Sequence, residues 1–169
     1  MASPKAVASG VNELAQAFIN TKLPESKTDI DAMLNTWHRH LADVEDIHLH
    51  AAVAEWIETE RWFPTIADLR SNALARQFGL PGENEAWALA VTMVNSRDAA
   101  VYTNTHIAVR SAVRDAGGPK AFSECSDMGK LRQSFLGAYR ARVRDVYKNP
   151  KSAMLAINEH SHTAREVQG

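Results

Sequence analysis

Apolar residues along the chain recur three or four positions apart, the spacing of one face of an α-helix. Over residues 5–20 that face carries Val11, Leu14, Ala15 and Phe18. The stretch "TKLPESKT" breaks the spacing with a proline, after which Ser26 or Thr28 can cap a second helix. Its stripe is Ile30, Met33, Leu34, Trp37 and Leu41. The acidic turn "DVED" leads to a third helix over about 46–58, with Leu49, Ala52, Val53, Trp56 and Ile57 apolar. Acids at its start suit the positive end of the helix dipole. A fourth stripe follows in Ile66, Leu69, Ala73 and Leu74. Pro64 fits the first turn of that helix, where its missing N–H costs nothing. Thr65 and Asp68 have the spacing of a capping box, with Asp a weaker closer than Glu or Gln.

The second half repeats the pattern. Residues 85–94 place Trp87, Leu89, Ala90 and Val94 at helical spacing, and residues 104–115 do so with Ile107, Ala108, Ala112 and Val113. "AGGP", residues 116–119, is a helix stop. A short turn is expected at 121–125, and the longest helix at 128–147. No stretch combines strand-like alternation with enrichment in β-branched and aromatic residues. The expected fold is all-α, in two small helical bundles. The boundary falls in "FGLPGEN", residues 78–84, which holds two glycines and a proline. The expected division is an N-terminal helical arm (1–24), a helical domain (25–80), a second helical module (83–150) and a mobile tail (151–169).

Composition changes little in this picture. The 169 residues are 45% hydrophobic and 23% charged, ordinary for a globular chain. No apolar run is long enough to cross a membrane, and the N-terminus has no signal-like order of charge and apolarity. Cys125, the single cysteine, suits a reducing cytoplasm and leaves no internal disulfide and no cysteine cluster for zinc.

Charge is more informative. Residues 1–82 carry 7 Lys+Arg against 11 Asp+Glu, a balance of −4, and residues 83–169 carry 12 against 9, a balance of +3. Within 128–151 there are seven basic residues and one acid. Wound at 100° per residue, Lys130, Arg140, Arg144, Lys148 and Lys151 fall within an arc of about 80°. Leu131, Phe135, Ala138, Tyr139, Val143 and Val146 fall opposite. One face packs while the other presents positive charge, either simply solvated or facing phosphates or an acidic protein surface. Arg132 and Arg142 fall within the apolar half-circle, a position for the edge of the core or for a contact.

Trp62 and Phe63, directly before Pro64, form a docking or core motif at a helix junction. Large rings seal such joints, and aromatics are also common interface anchors. Three His-x-His pairs (His38/His40, His48/His50, His160/His162) have the wrong spacing to chelate one ion from a helix, which needs i, i+4. No nucleophile elbow, phosphate-binding loop or dinucleotide fingerprint occurs, so no catalytic, cofactor-binding or metal-binding residue is assigned.

Residues 28–75 resemble the phage helicase loader-and-inhibitor family. The resemblance is carried by Trp37 and Leu41, by Ala51, Ala52, Ala54, Trp56 and Ile57, and most specifically by the string F-P-T-I-A-D-L-R, Phe63 to Arg70. In the second half, "EAWALAVTMV", "HIAVRSAVRDAGGPKAF" and "FLGAYRA" are similar in order to segments of phage replication proteins, with Gly118-Pro119 where those often have Gly-Gly-Trp. The resemblance implies a non-enzymatic adaptor in the host-cell cytoplasm. Such an adaptor holds a DnaB-type hexameric replicative helicase, restrains it, and helps load it through an initiator protein or single-stranded DNA. The competing expectation is a replication or regulatory protein that binds nucleic acid directly through the 128–151 helix.

Overall fold

The computed structural model describes residues 1–152. Among these every regular element is helical: α1 (Pro4–Ala17), α2 (Lys27–Leu41), α3 (Asp46–Thr59), α4 (Ile66–Phe78), α5 (Glu83–Asn95), α6 (Ala99–Asn104), α7 (Ile107–Asp115), α8 (Gly118–Glu124) and α9 (Met128–Lys148). The fold is all-α. Contacts divide the chain into two units, Met1–Phe78 and Gly79–Gly169. The division lies inside the Gly/Pro-rich stretch, where Gly79 takes a φ of 60° that other residues rarely adopt. Most of the expected tail, and the His160/His162 pair, lie outside the described residues.

In the first unit α1 packs on α2 and α3, and α4 packs on α3 and α2, closing a ring of four helices. Ser3 starts α1, its hydroxyl accepting from the Ala6 amide. Ser3 is itself held by the start of α3: its amide and hydroxyl donate to the two oxygens of Asp46 at 2.6 and 2.9 Å. These bonds, led by the backbone one, hold the Asp46 carboxyl below the ordinary aspartate range. The first helix is thus built into the first unit, where the sequence alone set residues 1–24 apart as an arm. Gly10 shows how close α1 and α3 lie, since a Cβ there would stand 3.1 Å from Val53 Cγ2. Val7, Leu14, Leu41, Leu49, Leu69 and Leu74 are buried between the helices.

Local chemistry sets the helix ends. Ser26 caps α2, accepting from the Asp29 amide at 3.1 Å. Thr65 and Asp68 form the capping box at α4: Asp68 N–H donates to Thr65 Oγ1 at 3.2 Å, and Thr65 N–H to Asp68 Oδ2 at 3.1 Å. Thr65 therefore holds the cap position and Pro64 precedes it, one step outside the first turn where the sequence placed it. Arg70 reaches both oxygens of Asp43, and Arg76 pairs with Glu55 at 2.6 Å, tying α4 to the α2–α3 turn and to α3.

The second unit is built on a triangle of α5, α7 and α9, with α6 and α8 added at its edges. Ala86, Ala90, Val109, Ala112 and Val113 are small, and they let α5 and α7 close on the rings of Phe135 and Tyr139 from α9. Trp87 and Phe122 pack on Phe135, with ring centroids 5.5 and 6.3 Å away. Phe135 and Tyr139 stack at 6.0 Å and 9°. Two short helices differ from the expectation. α6 occupies a stretch to which the sequence reading assigned no element, and α8 occupies the expected turn. Gly117, at φ 105°, is the left-handed residue that ends α7 and lets Pro119 start α8.

Candidate partner-binding surfaces

α9 is capped at its start by Asp127, whose carboxylate accepts from the Lys130 amide at 3.1 Å. Its inner side carries Leu131, Phe135, Leu136 and Tyr139. The Tyr139 hydroxyl donates to the Pro81 carbonyl at 2.5 Å. Burial is the main reason its phenol is pushed well above the ordinary tyrosine value. Leu136 was not in the predicted stripe. It lies one position beyond the strict apolar arc, and α5 and α7, both packed on α9, bury a wider face than one neighbour would.

Neighbouring helices claim most of the arginines on α9. Arg140 donates to both oxygens of Glu83, at 2.7 Å each. These bonds lower the Glu83 carboxyl below its ordinary value and raise the Arg140 guanidinium. Arg142 grips Asp115 at the end of α7, at 2.5 and 2.8 Å. Arg132 donates to Asn84 Oδ1 at 2.8 Å. Arg142 is thus half-buried and paired, while Arg132 is exposed and makes a contact with Asn84.

The five-residue basic strip is therefore not one continuous free surface. Lys130 lies 3.6 Å from its own cap residue Asp127, and about 27 Å of helix axis separates it from Lys148. Arg140 is committed to Glu83. Lys151 lies past the end of α9, which stops at Lys148 with Asn149 as its cap, so the helical winding does not fix its direction. Arg144 and Lys148 remain. They are exposed, one turn apart, and have no ion pair among the described residues. Asp145, beside Arg144, turns to Arg142 at 3.8 Å.

The aromatic motif of the first unit divides. Phe63 packs edge-on against Trp37 and Phe18, at centroid distances of 5.9 and 6.5 Å, sealing the joint where the ends of α1 and α2 meet the start of α4. Pro64 is buried behind it. Trp62 faces outward at 59% exposure, and its carbonyl accepts from Trp56 Nε1 at 2.9 Å. That bond fixes the turn and leaves the Trp62 ring at the surface.

Two further observations concern chemistry. Among the described residues, no three His, Cys, Asp or Glu side chains gather as a metal set. No described helix is long and apolar enough to cross a membrane. The sequence reading missed the contact between Tyr102 of α6 and Arg110 of α7, in which the guanidinium carbon lies 5.3 Å from the ring centroid. Spacing could not have shown it, because α6 is only six residues long. Comparison with known proteins finds no matching family model, curated protein or solved structure.

Proposed function

We propose that this chain is a non-enzymatic adaptor of phage DNA replication that binds a DnaB-type hexameric helicase, restrains it, and helps load it onto DNA in the host cytoplasm. The observation that carries the reading is the pair Arg144 and Lys148. In a unit where Arg140 and Arg142 are consumed by carboxylates, these two are exposed and have no ion pair among the described residues, on the last turns of the longest described helix. Free cations on a rigid helix suit an acidic protein surface, where complementary charge gives orientation and rate of encounter. The Phe63–Arg70 string behind the family resemblance supports the same reading. It forms a capped, packed turn that holds Trp62 at the surface, and an exposed ring on a fixed turn is a usual anchor for a partner.

The test is size-exclusion chromatography of the purified chain with the replicative helicase of its own genome or host, with and without ATP and without DNA. Co-elution with the hexamer is expected. If the two elute separately under both conditions while the chain binds DNA through α9, the direct nucleic-acid-binding reading replaces this one.

A further inference from the structure

Three arginines among the described residues are half-buried: Arg70, Arg110 and Arg142. Arg70 is locked to Asp43 and Arg142 to Asp115, each through two nitrogens of the fork. Among the described residues Arg110 has neither a carboxylate partner nor a hydrogen-bond acceptor. Its Nε is buried without a partner, the one buried side-chain nitrogen or oxygen so placed among the described residues. Its one marked contact is with the Tyr102 ring, at 5.3 Å. That ring is 53% exposed, on a six-residue helix that buries no residue of its own. One turn further along α7, on the same face, stands Arg114, whose side chain is 75% exposed. Its nearest carboxylate, Asp115, lies 3.9 Å away and is already held by Arg142.

Two arginines one turn apart repel each other, and a half-desolvated guanidinium without an anion is an unfavourable arrangement in the free protein. Both costs fall when an oxyanion arrives. Part of the Arg110 desolvation is already met, so an incoming phosphate meets a cation with less water to shed. The cation–π contact with Tyr102 also restrains the guanidinium beside the ring. The exposed phenol ring beside it presents an aromatic surface, which an acidic protein side chain does not need but a nucleobase uses.

We infer that Tyr102, Arg110 and Arg114 form a binding site for single-stranded nucleic acid, with the arginines on successive phosphates and a base against the tyrosine ring. The site is distinct from the Arg144/Lys148 pair, and it does not depend on the helicase being the partner. A strand site on the second unit would let an adaptor hold the strand that a helicase must encircle.

The probe is a fluorescein-labelled oligothymidylate, titrated with the full chain at low salt and followed by anisotropy. Stacking on an exposed ring predicts that Tyr102→Ala weakens binding roughly tenfold, while Tyr102→Phe retains it. Arg110→Gln should weaken binding and reduce the slope of log affinity against log salt by about 0.7, the value for one phosphate contact on a single strand. Circular dichroism checks that each variant keeps its helix content. Tyr102 is exposed, so its variants remain informative even if Arg110→Gln does not fold. The inference is overturned if the wild-type chain does not bind the oligonucleotide. It is also overturned if Tyr102→Ala binds as well as wild type, which would place the strand elsewhere, or if Tyr102→Phe loses as much as Tyr102→Ala, which would replace stacking with a hydroxyl contact. Equal weakening of helicase binding by Tyr102→Ala without DNA would reassign the site to a protein partner and overturn it as well.

Discussion

The Trp62–Phe63–Pro64 turn and the outer face of α9 pose the same question in different chemistry. Each is a run of side chains that a simple helix does not need. In the first unit the interior takes most of the run: Phe63 closes on Phe18 and Trp37, and Pro64 is buried. Only Trp62 is left over. In the second unit charge pairing takes most of it: Arg140 goes to Glu83 and Arg142 to Asp115. Arg144 and Lys148 are left over. The contrast teaches that a conspicuous sequence feature is a poor guide to a surface until packing and pairing have claimed their share. The remainder is one exposed ring in one unit and two exposed cations in the other.

The comparison breaks most sharply where interior rings are removed. Phe135→Ala deletes a fully buried ring shared by Trp87, Phe122 and Tyr139. It should cost about 3–5 kcal/mol by urea unfolding. Phe63→Ala removes a half-buried ring, so the expected cost is smaller, about 2 kcal/mol. Trp62→Ala should cost under about 1 kcal/mol, because the ring faces water and the bond from Trp56 goes to a backbone carbonyl that survives the change. Equal losses for Trp62→Ala and Phe63→Ala would erase the distinction between the inward and the outward ring.

Ion pairs give a smaller effect with a signature in pH. Glu83 has its folded value lowered by Arg140, so its contribution is present above the ordinary glutamate value of 4.5 and is lost as pH falls through the lowered one. Glu83→Gln should therefore lower the melting temperature modestly at neutral pH. The gap to wild type should close in acid, below the folded value. A gap that stays constant from neutral pH into acid would show that the residue acts through packing and not through its charge.

Helices and their caps were legible in the sequence because both are local. Ser26, the Thr65/Asp68 box and the Gly117 stop each act within a few residues, and the apolar stripes of α2, α3 and α9 repeat over several turns. α6 was not legible, since six residues carry too little periodicity. The fate of the basic strip was not legible either. Arg140 finds its carboxylate 57 residues away and Arg142 finds Asp115 27 residues away, and helical winding contains no information about such partners. The same holds for Arg110, which among the described residues lacks the carboxylate that Arg70 and Arg142 have.

The central claim is that the charges left over after internal pairing are the ones that meet the helicase. Arg144→Glu combined with Lys148→Glu tests it directly, because neither side chain has an ion pair to lose among the described residues. Stability should fall by no more than about 1 kcal/mol, mostly from an acid replacing Lys148 near the negative end of the α9 dipole. Affinity for the hexameric helicase, titrated without DNA, should drop at least about tenfold, since like charges facing each other at an interface are strongly unfavourable. Unchanged helicase affinity in a folded double variant would contradict the account, and would make these two cations an ordinary solvated end of a helix.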